Sequence, residues 1–174
     1  MNTNYRSIGG LALLCALPMT ALAQSSQPLT VSATVTSVCS VTAPSTIAFG
    51  SVTPGVPKDG QGSVVINCNK GAGVTATATS NNASGGVKRM AGTTAASTGD
   101  FLPYQVWQPD PSSQANAAAC AGTRTDWTGS LSMTTLWNAS GGPRTIAVCA
   151  TANPTATQST GDYSDSLIVA ITVS

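Results

Sequence analysis

The chain contains segments in which apolar and polar residues alternate, the pattern of a β-strand with one buried face. The clearest spans residues 29–36, where only Thr and Ser stand on the polar face. Its apolar face carries Leu29, Val31, Ala33 and Val35. A second alternating segment spans residues 74–79, and a third runs from Ser166 to Ser174. The third places on one face Leu167, Val169, Ile171 and Val173. Each segment predicts a sheet beside it and a core beneath it.

Further strands are predicted between these segments. Residues 62–68 form one, a central strand starts at Tyr104, and residues 144–149 form another with Cys149 as its last residue. Turns are predicted at Pro54-Gly55 and Asp59-Gly60 because Gly, Pro and Asp favour turn conformations. Long helical periods are absent from the sequence, and short apolar runs are separated by Gly, Pro and Asn clusters. This pattern predicts an all-β sandwich.

The alternation changes phase at Ser37. Ser37 occupies a position that should be apolar, and Val38 takes over the apolar role. Because a shift of one residue turns every following side chain to the opposite face, Thr36 and Ser37 are interpreted as the boundary between two strand segments.

The first 23 residues have the features of a secretory signal peptide. Arg6 supplies a positive charge, residues 11–17 are apolar, and Ala21-Leu22-Ala23 fits a cleavage site. A membrane anchor is the alternative, but Pro18 interrupts the apolar run, which is shorter than the ~20 residues of a spanning helix. We therefore expect a mature chain beginning at Gln24 in an oxidising compartment.

Four cysteines belong to the mature chain: Cys39, Cys68, Cys120 and Cys149. Four cysteines allow three pairings. Proximity in the sequence suggests Cys39 with Cys68 and Cys120 with Cys149. The sequence has no histidine and no C-x-x-C, so the usual zinc ligand sets are missing, and we predict neither a metal nor a cofactor.

Charge is sparse, with seven Lys and Arg against six Asp and no Glu. This balance provides no basic stripe for nucleic acid and no polybasic patch for anionic lipid. Without histidine, Ser-His-Asp and Cys-His catalysis is excluded. Asp162 and Asp165 around Tyr163 are interpreted as a turn before a strand and not as an acid/base pair. We therefore predict a protein that is not an enzyme and has no small-molecule substrate.

The three tryptophans allow two interpretations. Trp107, Trp127 and Trp137 together would suit a sugar-stacking platform. Because the chain has few other large aromatic residues, we expect at least two of the three to belong to the core or to an interface.

Several short motifs occur in a characteristic order along the mature chain. They are Cys39, Ile47-Ala48-Phe49-Gly50, Val64-Val65-Ile66-Asn67-Cys68, Arg89-Met90, residues 102–107, and Gly161-Asp162-Tyr163-Ser164-Asp165-Ser166-Leu167. In this order they resemble the spore coat U family, which includes subunits of archaic, Csu-type chaperone-usher pili. Cys120 and Cys149 depart from the common pattern of the family, so their pairing is inferred from spacing alone.

The resemblance implies an incomplete immunoglobulin-like sandwich that lacks its last strand and is completed by a donor strand from another subunit. Residues 1–23 would be the signal peptide, 24–37 an N-terminal donor arm and 38–174 the pilin domain. The donor side chains would be Leu29, Val31, Ala33 and Val35. The acceptor groove would be bordered by Leu167, Val169, Ile171 and Val173.

The resemblance also implies partners and a location. A periplasmic chaperone would bind the subunit first, an outer-membrane usher would export it, and other pilus subunits would join it at the cell surface. The resulting fibre would support adhesion and biofilm formation. Two alternatives remain at this stage: a tip adhesin that binds a glycan or a surface, and a spore or cell-coat protein that forms no pilus. A tip subunit is expected to carry an additional N-terminal binding domain and no donor arm.

Overall fold

The computed structural model describes residues 30–42, 45–109 and 124–174. The chain divides into two compact units, residues 1–34 and 35–174. In the first unit, residues 30–34 are exposed and form no strand. The predicted signal peptide, Leu29 and Cys120 lie outside the described residues.

The second unit is a sandwich of two antiparallel sheets, as the alternation predicted. The strands are β1 Cys39–Thr42, β2 Lys58–Cys68, β3 Val74–Ser80, β4 Lys88–Gly92, β5 Phe101–Trp107, β6 Leu131–Ser132, β7 Gly142–Ala152, β8 Tyr163–Ser164 and β9 Leu167–Val173. A six-stranded sheet has the order β1-β2-β7-β5-β4-β8, and a three-stranded sheet has the order β6-β3-β9. A single 3₁₀ turn, Thr134–Trp137, interrupts this all-β arrangement within the described residues.

The core fills the space between the two sheets. Alternate residues of β2, β3 and β5 point inward and are buried, as expected for strands with one solvent face. Trp127 and Trp137 are fully buried, and Met133 and Leu136 pack with them. The large apolar side chains of residues 127–137 therefore form part of the core. The expectation that at least two of the three tryptophans belong to the core or to an interface is confirmed.

The turn predicted at Asp59-Gly60 is wrong, because both residues lie within β2 and pair with β7. Two glycines of β2, Gly60 and Gly62, allow another segment of the chain to approach the strand closely. A Cβ atom at Gly60 would lie 2.9 Å from the Phe49 ring, and one at Gly62 would lie 2.8 Å from Ile47. Residues 45–49 can therefore pack directly onto β2, which a side chain at either position would prevent.

The end predicted for the strand at Cys149 is also wrong. The strand β7 continues to Ala152, because Thr151 and Ala152 still have partners in β2 on one side and in β5 on the other. A strand between two neighbours continues as long as both supply backbone partners, and such pairing is not visible in a single segment of sequence.

The strand registers define two opposite ends of the sandwich. At the upper end, Cys68 pairs with Gly142, and Val173 pairs with Val74. At the lower end, Tyr163 pairs with Gly92. The strand β9 runs from the lower end to the upper end.

Candidate strand-binding cleft

An apolar cleft opens between the two sheets on one side of the sandwich. One wall is the edge strand β9, and the other is residues 45–49 beside β2. Its volume is about 570 Å³. The apolar side chains that line it include Ile47, Phe49, Val64, Met90, Leu167 and Val169. The cleft thus exposes part of the layer between the sheets along one edge.

The wall formed by β9 has a free backbone edge. Ser174 and Gly73 exchange two hydrogen bonds, of 2.9 and 3.2 Å. Because bonded pairs alternate in an antiparallel ladder, Ile168, Ala170 and Thr172 bond β3, and the residues between them direct their N–H and C=O groups to the other side. Among the described residues no strand pairs with that side.

The four residues predicted to border an acceptor groove all lie on β9. Leu167, Val169, Ile171 and Val173 are half-buried and alternate with exposed residues. The first three pack against the core, and Leu167 and Val169 also line the cleft. These residues present apolar side chains to the sandwich interior and backbone groups to the free edge.

The predicted donor residues are solvent-exposed in the isolated chain. Val31 is 87% exposed and Val35 is 86% exposed, and Ala33 is exposed as well. Leu29 lies outside the described residues. A β-branched side chain at this level of exposure loses the burial that its type usually has in folded proteins.

Residues 36–39 are fastened to the upper end of the domain. The side-chain amide of Asn69 donates to the Thr36 carbonyl at 3.2 Å, and its oxygen accepts from the Val38 N–H at 2.8 Å. The Asn69 N–H donates to the Val38 carbonyl at 3.1 Å. A disulfide joins Cys39 to Cys68, the residue before Asn69, as the sequence spacing suggested. Cys149 is disulfide-bonded as well.

A polar network closes the lower part of the cleft. The Tyr104 hydroxyl donates to one oxygen of Asp165, and the other oxygen accepts from the Asn82 side chain at 2.8 Å. Burial, reinforced by this bond to Asp165, raises the pKa of Tyr104 well above its usual value. The phenol therefore keeps its proton and donates a hydrogen bond to the carboxylate. Asp165 lies in the connection that carries the chain from the six-stranded to the three-stranded sheet.

Next to the cleft lies a second, more polar compartment of about 680 Å³, and Tyr163 lines both. One of its walls is held by Asp100, whose carboxylate accepts hydrogen bonds from Ser159, Gln158 and Tyr163. The hydrogen bonds from Ser159 are the main reason that the pKa of Asp100 is lowered. Phe49 and Met90 line both compartments, so the two are adjacent.

Outside the cleft, two charged side chains of the domain form a structural pair. Arg124 forms a bidentate ion pair with Asp59, and hydrogen bonds from Arg124 and Thr151 hold the pKa of that carboxyl below its usual value. Within the described residues no group of three or more His, Cys, Asp or Glu could hold a metal ion. In that same part of the chain, no helix is long and apolar enough to cross a membrane.

Sequence reasoning missed two contributors to this site. Asn69 is not part of any alternating pattern, and its place after Cys68 is the only signal that connects it with the first strand. The sequence predicts Asp165 only as part of a turn. Its contact with Tyr104, which is 61 residues away, cannot be read from the neighbouring sequence.

Taken together, the two sheets and the open edge define an immunoglobulin-like sandwich with one unpaired side. The profile of the Spore Coat Protein U domain family matches residues 25–170. The chain belongs to this family. No curated protein matched the chain in a sequence comparison.

A solved structure shares the fold. It is the chaperone–tip adhesion subunit pre-assembly complex CsuC–CsuE from the archaic chaperone-usher Csu pili of Acinetobacter baumannii. The matched chain has 16% sequence identity and a TM-score of 0.51, and the match covers 79% of this chain and 40% of that one. This protein thus corresponds to less than half the length of the chain that it resembles.

Proposed function

We propose that this protein is a structural, non-enzymatic subunit of a secreted surface fibre that polymerises by donor-strand exchange. The observation that carries the proposal is the apolar cleft bordered by the free edge of β9. A free edge next to exposed core side chains is a template for one more strand. The donor would be residues 24–37 of another copy, which supply an alternating strand.

The dimensions of the donor and the cleft agree. The four apolar residues of the arm and the four inward residues of β9 each span six residue steps, or about 20 Å at ~3.3 Å per residue. Burial of the arm's side chains would contribute roughly 5 to 9 kcal/mol. Each ladder hydrogen bond adds ~1 kcal/mol, and the cost of association is subtracted from the sum. Such a joint would hold subunits together without a covalent bond.

An open cleft explains why the subunit would need a chaperone. A free subunit with unpaired backbone groups and exposed apolar side chains aggregates. A periplasmic chaperone would cover the cleft, an outer-membrane usher would export the subunit, and the arm of the next copy would replace the chaperone. The similarity to the Csu complex, in which a chaperone is paired with a tip adhesion subunit, supports the chaperone as a partner. The fibre would then serve adhesion and biofilm formation at the cell surface.

Two variants of the arm test the proposal. Deleting residues 24–35 from the mature chain should leave a subunit that binds its chaperone but does not polymerise. Val31→Asp should also block polymerisation, because it places an unpaired charge in an apolar cleft. Thr34→Asp is the matched control, since Thr34 stands on the polar face of the arm and should assemble normally. Polymers are measured by size-exclusion chromatography and electron microscopy.

Assembly of the truncated subunit at the wild-type rate would overturn the proposal. Equal inhibition by Val31→Asp and Thr34→Asp would contradict the assignment of the two faces of the arm.

A further inference from the structure

Tension on the proposed fibre would enter each subunit at its first strand. The arm would be held in the cleft of another copy, and the chain that follows the arm is fastened to its own domain. Thr36 and Val38 are hydrogen-bonded to Asn69. The next residue, Cys39, is joined to Cys68 by the disulfide. A pull on the arm therefore reaches β1 and the disulfide at the upper end of the sandwich.

The strand β1 is poorly suited to carry this load by itself. It has four residues and lies at the edge of the six-stranded sheet, beside β2. Ser40, Val41 and Thr42 are exposed, so burial of side chains contributes little to its attachment. Without the disulfide, β1 would be held mainly by a few ladder hydrogen bonds to β2.

The chain leads from β1 directly to a wall of the cleft. Residues 45–49, which form that wall, follow soon after the end of β1. If β1 were pulled away from β2, the load would pass along the chain to these residues. Ile47 and Phe49 would then leave their places against Gly62 and Gly60. A donor strand held in the cleft would lose one of its two walls.

The disulfide encloses this vulnerable part of the chain, because β1, residues 45–49 and β2 all lie between the two cysteines or end on them. Resting on the proposed function, we infer that the Cys39–Cys68 disulfide is a force-bearing strap, which passes tension from the arm directly to the upper end of β2. Loss of the noncovalent contacts of β1 then cannot lengthen the loaded chain. A subunit can therefore be pulled at its arm without loosening the copy held in its cleft.

The strand β2 is a suitable anchor for the strap. It lies between β1 and β7 and pairs with β7 along all of its residues. Its inward side chains next to the anchor point, those of Val64, Ile66 and Cys68, are buried in the core. Tension delivered to Cys68 thus acts on a central strand of the sheet.

Without tension, the cleft wall has contacts of its own. The Ser45 N–H donates to the Ser63 carbonyl at 2.8 Å, and the Ser63 N–H donates to the Ser45 hydroxyl at 2.7 Å. Ile47 and Phe49 pack against the core. Loss of a strap should therefore weaken the joint under load and leave donor binding unchanged at rest.

Pulling assembled fibres in optical tweezers tests the strap. Subunits of Cys39→Ala/Cys68→Ala fibres should lengthen in steps of ~30 Å if peeling stops at the start of β2, and up to ~100 Å if the whole enclosed loop is released. At constant force their joints should separate at least about tenfold sooner than wild-type joints. Without load, affinity for a peptide of residues 24–37, measured by fluorescence anisotropy, should stay within about threefold of the wild-type value.

Met133→Ala is the matched control. Met133 is buried in the core and does not line the cleft, so its truncation lowers stability while the strap stays intact. Fibres of this variant should show no such steps before their joints separate.

A second measurement does not require the unbonded chain to fold. Fibres are assembled from Cys120→Ala/Cys149→Ala chains, in which Cys39 and Cys68 are the remaining cysteines of the mature chain. They are pulled before and after chemical reduction, and the steps should appear only after reduction.

If oxidised and disulfide-free fibres lengthen and separate alike, the strap is wrong and the proposed function stands. A loss of peptide affinity beyond threefold without load would show that the disulfide shapes the cleft at rest, which also overturns the strap. If wild-type subunits form no fibres, both proposals fail.

Discussion

Asp165 holds the lower part of the cleft by accepting three hydrogen bonds. Its partners are the Tyr104 hydroxyl and the backbone N–H and side-chain amide of Asn82. Asp165, Tyr104 and Asn82 come from three parts of the chain, which meet where β8 gives way to β9. The carboxylate therefore fixes the position at which the edge strand begins.

Replacing Asp165 by Ala should reduce the free energy of unfolding by about 2 to 3 kcal/mol, because it leaves the donors of buried Tyr104 and half-buried Asn82 without an acceptor. Asp162→Ala is the control, since that side chain is exposed and unpaired; its effect should stay within ~0.5 kcal/mol. Urea unfolding of both variants measures the difference. Equal stabilities would show that Asp165 does not hold the strand.

At the scale of elements, the alternation predicted β3 and β9 closely but did not predict the full lengths of β2 and β7. The ends of β3 and β9 coincide with the ends of their own apolar patterns. The strand β2 begins at Lys58 and includes Asp59-Gly60, a pair that resembles a turn in the sequence. Gly60 serves there, with Gly62, to let residues 45–49 approach the strand closely. Local sequence identifies a glycine but not the chain that passes over it.

The disulfide between β1 and β2 should stabilise the domain substantially. Cys39 and Cys68 are separated by 29 residues. Closing a loop of this size lowers the entropy of the unfolded chain, which stabilises the folded state by about 3 to 4 kcal/mol. The variant Cys39→Ala/Cys68→Ala should lose that amount in guanidinium unfolding. The Cys149 disulfide remains in this variant, so the loss reports on one bond. A loss below ~1 kcal/mol would contradict the entropic account.

At the scale of the whole molecule, the sandwich has two ends, and the open edge of β9 runs between them. The chain enters the domain at the upper end, beside the end of β9. In the proposed fibre, this arrangement joins the arm of one copy to the cleft of the next in a single direction.

A self-complemented monomer tests the orientation of the arm. Residues 24–35 are removed from the mature N-terminus and appended after Ser174 through a four-residue turn. A short turn connects only antiparallel neighbours, whereas a parallel strand would need a crossover of a dozen or more residues. We expect a monomer whose unfolding temperature lies at least ~10 °C above that of the arm-deleted chain, measured by calorimetry.

The same fusion carrying Val31→Asp is the control and should unfold like the arm-deleted chain. Stabilisation that appears only with a long linker would indicate a parallel arm.

The sequence by itself determined the sandwich class and the inward faces of β3 and β9, and it suggested the Cys39 and Cys68 pairing. These follow from local periodicity, and in the case of the cysteines from short separation. Only the tertiary structure revealed the cleft, the free edge of β9, the Asn69 contacts and the network of Asp165. Each of these depends on residues that are distant in sequence and meet after the two sheets pack. The arm of residues 29–36 combines both levels, because its pattern predicts a strand but only a cleft of matching length identifies a candidate partner.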